Sequence, residues 1–136
     1  MSPMRYVVTG GTGFIGQRLV DRLLALPDTS TVTVLVRRES LGRFEQIAQR
    51  WDDRVQPLVG DLTLPDLGLT DAALHAAAGP NLQVDHVIHC AAIYDITAPE
   101  GRQRAANVDG TRAVIALARR LDATLHHLSS IAVAGT

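Results

Sequence analysis

Four glycines fall within the seven residues from position 10 to 16, directly after an apolar run and directly before a segment of helical period. Glycine is costly to order, so a turn that concentrates it must accommodate something close to the backbone. Two frames fit a dinucleotide fingerprint: Gly11-x-Gly13-x-x-Gly16, and its variant Gly10-x-x-Gly13-x-x-Gly16. The chemistry calls for a tight turn, a backbone bare enough to approach a pyrophosphate, and close helix–strand contact. A helix beginning near Gly13 would add unpaired N–H groups and its positive dipole end. Gly11 and Gly16 also have the outer spacing of a phosphate-transfer loop, but Gln17-Arg18 follow where a lysine and a hydroxyl are required. The chain has no lysine at all; its 13 basic residues are all arginine. About 20 residues beyond the glycines, an acid would hold the ribose 2′-hydroxyl of NAD. Here the apolar run ends in Arg37 and Arg38, guanidiniums that grip a 2′-phosphate, so NADP is expected and NAD disfavoured.

The remaining reactive side chains carry weaker signals. Cys90 reads as a small buried residue, not a nucleophile. His126 and His127 invite a metal reading, yet adjacent strand residues point to opposite faces and no cysteine or acid spacing completes a zinc site. No metal is expected. His75, His86 and His89 read as surface or core fillers, and Tyr94 lies beyond a strand where it could line an entrance.

The elements that must position these groups alternate along the chain. Strands are expected over Arg5–Thr9, Val32–Val36, Val55–Val59, Val84–Cys90 and Thr124–Ser129. Helices are expected over Phe14–Leu26, from Leu41 to Trp51, over Thr70–Ala78 with Thr70 as N-cap, and over Gly101–Leu121. The "GDLTLPDLGLT" stretch is read as a loop. This alternation argues an α/β fold, a doubly wound parallel sheet of Rossmann type with helices on both faces. Right-handed crossovers reduce the topologies, and the order 3-2-1-4-5 is expected, with the ligand crevice where strands 1 and 4 diverge.

Composition is consistent with one domain, residues 1–136. The chain is 46% apolar with a net charge of −1, so no basic face for nucleic acid or anionic membrane is indicated. Its apolar runs are too short for a membrane span, and the N-terminus lacks a secretory signal pattern. A single cysteine fits a reducing cytoplasm.

Taken together, "TGGTGFIG", "VLVRR", "GDL", "HCAA", "NVDGT" and "LSSIAVAG" resemble the extended short-chain dehydrogenases/reductases in order and spacing, from Arg5 to Gly135. "GDLTLPDLGLT" resembles the thioester- and fatty-acyl-CoA-reductase branch, which takes NADPH; the epimerase/dehydratase branch shares the other motifs. The resemblance implies that Thr9, Gly10, Thr12, Gly13, Phe14 and Ile15 form the pyrophosphate turn, and that Arg37 and Arg38 form the 2′-phosphate site. It implies that Asp61 and Leu62 border the adenine, and that Cys90, Ala91 and Ala92 pass along the ribose and nicotinamide. Asn107 matches a helix asparagine that orders the site, Ser129 a cofactor-side residue, and Ser130 the hydrogen-bond donor to the substrate carbonyl.

One departure separates the chain from that family. The family's proton donor is a tyrosine with a lysine four positions later, a few dozen residues beyond the serine strand. This sequence has only Tyr6 and Tyr94, both before Ser130, and no lysine. A tyrosine of pKa near 10 needs that cation to act at neutral pH. The expectation is therefore the cofactor-binding front of a longer NADP-dependent reductase, inactive alone, with a small-molecule carbonyl or acyl-thioester substrate. An epimerase/dehydratase-type member and a non-catalytic dinucleotide sensor are the alternatives. Pairing with another chain would use the exposed edge of the fifth strand.

Overall fold

The computed structural model describes residues 3–90 and 108–128. Strand β1 runs Met4–Thr9, helix α1 Phe14–Ala25, β2 Thr29–Val36, α2 Leu41–Ala48 and β3 Val55–Val59. Helix α3 spans Asp71–Ala78, β4 His86–His89, α4 Gly110–Arg120 and β5 Thr124–His127. All five strands form one parallel sheet in the order β3-β2-β1-β4-β5, as the alternation requires.

Parallel strands covered on both faces read as unbroken apolar runs, and those of this chain are buried accordingly. Val8, Val32, Val34 and Val87 are fully shielded from solvent. Tyr6, Val8, Val32 and Val34 pack with Val20 of α1 and Phe44 of α2 on one face. Val7, Leu35, Leu58 and Val87 pack with Leu74 of α3 and Val114 and Leu117 of α4 on the other. β5 lies at the sheet edge with Thr124, His126 and His127 exposed. Among the described residues, no helix is long and apolar enough to cross a membrane.

The ends of elements differ from expectation for identifiable reasons. β2 begins three residues early, at Thr29, because the Thr29 hydroxyl donates to the Leu23 carbonyl at 2.5 Å and Met4 N–H donates to Asp28 at 2.7 Å. α2 stops at Ala48; Trp51 lies in the following turn, where its indole N–H donates to Asp21 at 2.7 Å. β4 is confined to His86–His89, shorter than Val84–Cys90. Thr70 caps α3 as expected, its hydroxyl accepting from Ala73 N–H at 3.1 Å. Of the helix expected over Gly101–Leu121, residues 101–107 lie outside the described residues, as does Ser129 at the end of the expected fifth strand.

The loop after β3 holds the least expected feature. Asp66, Leu67 and Gly68 are consecutive left-handed residues, with φ of 53°, 61° and 66°. Only glycine adopts that conformation without steric cost. Leu67 is driven there by burial, at 1% exposure in the core between the sheet, α3 and α4.

Candidate dinucleotide site

β1 ends at Thr9 and the chain turns at Gly10, whose φ of 76° needs glycine. Gly13 N–H donates to Gly10 O at 3.1 Å, closing the turn, and Gly13 serves as the N-cap of α1. Gly16 is where helix and turn meet: a Cβ there would lie 1.8 Å from the Gly10 carbonyl oxygen. A Cβ on Gly13 would meet nothing nearer than Gly10 O at 3.5 Å, so that face of the turn is open. The first turn of α1 carries no acidic residue, which leaves its positive dipole end unopposed for an anion. Phe14 and Ile15 are 73% and 64% exposed, large apolar side chains at the mouth of the turn. The Arg18 guanidinium lies 4.8 Å from the Phe14 ring centroid.

Arg37 and Arg38 follow the end of β2, both exposed. Arg37 makes one loose ion pair, Nη1 to Glu39 Oε1 at 3.4 Å, with both side chains largely in solvent; such a pair is weak and yields easily to a phosphate. Sequence reading missed a third cation. Arg43 of α2 reaches across to the turn and donates to the Thr12 carbonyl at 3.1 Å, beside Gln17, which donates to the same oxygen at 2.9 Å. The available signal was a basic residue in the first turn of the helix that follows the arginine pair.

Asp61 and Leu62 lie just beyond β3, where Gly60 N–H donates to Val36 O at 2.9 Å. Asp61 is half-buried, and its Oδ1 accepts from Thr63 N–H at 2.8 Å and from the Thr63 hydroxyl at 2.6 Å. It shapes its own loop. Leu62 packs under the start of α4, where a Cβ on Gly110 would sit 3.0 Å from Leu62 Cβ.

Cys90 follows β4, and its thiol donates to Thr9 O at 2.7 Å. Burial pushes that thiol up to about 11, so it stays protonated and unreactive. His89 is buried beside Thr9, and burial first, then the neighbouring His127, hold its pKa down near 4. The two histidines of β5 engage different partners: His126 lies 3.0 Å from His86 Nδ1, whereas His127 stacks on His89 at 5.1 Å. Those of β4 thus divide between the two roles expected of them, His86 near the surface and His89 in the core.

The turn, Arg37 and Arg38, Asp61 and Leu62, and Cys90 all gather at the carboxyl ends of neighbouring parallel strands. Ala91, Ala92, Tyr94, Asn107, Ser129 and Ser130 lie outside the described residues.

Comparison with known proteins agrees with this geometry. Residues 8–136 match the NAD-binding family model described as male sterility protein. A linear gramicidin synthase of Brevibacillus parabrevis is 34% identical over 137 residues, covering 92% of this chain and 3% of that one. The reductase domain of PhqB from Penicillium fellutanum superposes with a TM-score of 0.74 at 34% identity, over 96% of this chain and 38% of that one. The terminal R domain from the myxalamid PKS-NRPS pathway gives 0.78 at 29% identity, over 98% and 36%. The chain therefore spans little more than a third of these solved reductase domains and a small fraction of the synthase.

Proposed function

This chain belongs to the NAD(P)-binding male sterility protein family, and from that premise we propose that it is the NADP(H)-binding portion of a reductase acting on an acyl thioester or carbonyl. The observation that carries the cofactor choice is the set of cations around the glycine turn. Arg37 and Arg38 follow β2, and Arg43 is anchored on Thr12. A 2′-phosphate placed there meets guanidiniums whose acidic neighbour on the same short turn, Glu39, is exposed and loosely held.

The bound cofactor would supply a hydride. The residues of this chain bind and orient it. The open face of Gly13 and the amino end of α1 receive the pyrophosphate. Asp61 and Leu62 border the adenine, and Cys90, Ala91 and Ala92 pass along the ribose and nicotinamide, as the family resemblance implies. Asn107 orders the site, Ser129 lies on the cofactor side, and Ser130 donates to the substrate carbonyl, as the family resemblance implies. The chain has no lysine, so it lacks the cation that makes a tyrosine a proton donor at neutral pH. We assign this chain cofactor binding and orientation.

The test is a titration of the protein with NADPH and NADH, followed by absorbance measurement of NADPH oxidation with acyl thioesters, aldehydes and ketones. Preferential NADPH binding is expected. Equal affinity for both cofactors would defeat the NADP reading, and turnover would make Tyr94 the first residue to substitute.

A further inference from the structure

His89 is 1% exposed and carries two ring nitrogens into the interior. Filling that space with leucine or methionine would avoid the cost of desolvating a polar ring, so packing alone does not account for an imidazole. Both nitrogens are engaged. Nδ1 lies 2.6 Å from the hydroxyl of Thr9, the last residue of β1 before the glycine turn. Nε2 lies 3.3 Å from the hydroxyl of Thr111, in the first turn of α4. The neighbouring Gly110 packs on Leu62, with a Cβ there falling 3.1 Å from the Leu62 carbonyl oxygen. One side chain therefore connects the start of the pyrophosphate turn to the helix that rests on the adenine-side loop.

We propose that His89 is a positioning residue, whose bridge from Thr9 to Thr111 fixes the glycine turn relative to the Leu62 loop so that both ends of the dinucleotide site hold one spacing. The inference rests on the dinucleotide reading of that turn. A neutral imidazole has one N–H and one lone pair, so it donates to one hydroxyl and accepts from the other. That asymmetry orders both threonines at once, as a fully satisfied buried network does. Burial and the stacked His127 keep the ring neutral in the neutral pH range. His127, Thr9, Thr111 and the Cys90 thiol are the polar or titratable groups around it among the described residues.

Three variants test it: His89→Asn, which keeps a polar atom near the Nδ1 position but cannot reach Thr111; Thr111→Val, which removes the hydroxyl at constant shape; and the pair together. Thermal melts identify the folded variants, and Thr111→Val serves if His89→Asn does not fold. Hydrogen exchange of the Gly13 and Gln17 amides in cofactor-free protein reads the turn directly. Calorimetric titration with NADPH reads the site. Each single variant is expected to exchange faster at those amides and to bind NADPH about 3- to 30-fold more weakly. The double variant should lose no more than the larger single loss, because both substitutions break one bridge. Parental exchange at the turn, parental affinity, or additive losses in folded variants would each overturn the proposal. If the parent protein itself fails to bind NADPH, the dinucleotide reading falls, and the exchange measurement still decides the bridge.

Discussion

Gly13 and Gly16 belong to the same fingerprint, yet the structure separates what each does. Gly16→Ala sets two effects against each other. In a helix interior, alanine is favoured over glycine by about 1 kcal/mol, which alone would stabilise α1. Against this, the added Cβ would lie 1.8 Å from Gly10 O, 2.6 Å from Gly10 C and 2.8 Å from Gly11 Cα, all backbone atoms that no rotamer change can move. Such overpacking costs about 3 kcal/mol or more, so the clash wins, and the melting temperature should fall by on the order of 10 °C. Gly13→Ala is the converse. Its φ of −79° and ψ of 172° suit any residue, and the nearest atom to the new Cβ is 3.5 Å away. The weaker N-cap costs about 0.5–1 kcal/mol, and the reduced freedom of the unfolded chain returns about 0.4–1 kcal/mol. The fold should hardly notice.

Binding should notice instead. On the dinucleotide reading, a methyl on the open face of the turn occupies the space through which a pyrophosphate would approach, and a misfit of about 1–3 kcal/mol corresponds to roughly 5- to 150-fold weaker NADPH binding. Circular-dichroism melts and calorimetric titration of both variants make the comparison. A Gly16→Ala protein melting with the parent would refute the close-approach argument. A folded Gly13→Ala protein with parental NADPH affinity would refute the fingerprint reading.

Arg37→Ala should weaken NADPH by about 10- to 100-fold, from the roughly 1.5–3 kcal/mol of a charged hydrogen bond, while leaving NADH nearly unchanged in the same titration; equal losses for both cofactors would count against a 2′-phosphate contact. His89 has a folded pKa of about 4 against the ordinary 6.5 of a histidine, so between those pH values the unfolded chain takes up a proton that the folded one refuses. Stability from this group is thus complete above pH 6.5 and falls as pH drops towards 4, by about 2 kcal/mol between pH 7 and 5, and urea unfolding should show that slope flattened in a folded His89→Asn protein. Leu67→Ala, at a site 1% exposed, should cost about 2–5 kcal/mol through the cavity it leaves, read as a lower urea midpoint; an unchanged midpoint would mean that the left-handed loop is not held by this side chain.

The sequence made the sheet order and the glycine turn legible because both depend on local pattern. Alternating apolar runs and helical stripes leave few right-handed parallel topologies, and the turn is written in consecutive residues from Thr9 to Gly16. Element ends were less legible, since β2 starts where Thr29 finds the Leu23 carbonyl and α2 ends where Trp51 finds Asp21. The first depends on how the turn between α1 and β2 closes, and the second joins residues 30 apart in the chain. The left-handed conformation of Asp66 and Leu67 was invisible for a related reason: propensity opposes it, and only the space beneath the sheet draws Leu67 inward.

The same division runs through the site. Arg37 and Arg38 could be placed by counting from the glycines, whereas Arg43 became part of the turn only once α2 docked beside Thr12. His89 is the extreme case, because its partner Thr9 is 80 residues away in the chain. What brings them together is strand register. Thr9 pairs with His89 on β4, and His89 pairs with His127 on β5, forming one row across the sheet at its carboxyl end. Side chains alternate faces along a strand, so a slip of one residue between β1 and β4 would turn His89 to the opposite face and set Ile88 or Cys90 against Thr9. Register in turn is held by the apolar pairs one and two steps back, Val8 against Ile88 and Val7 against Val87, all buried. The hydrophobic core thus sets the register on which the polar bridge depends, and the bridge carries that alignment to the glycine turn.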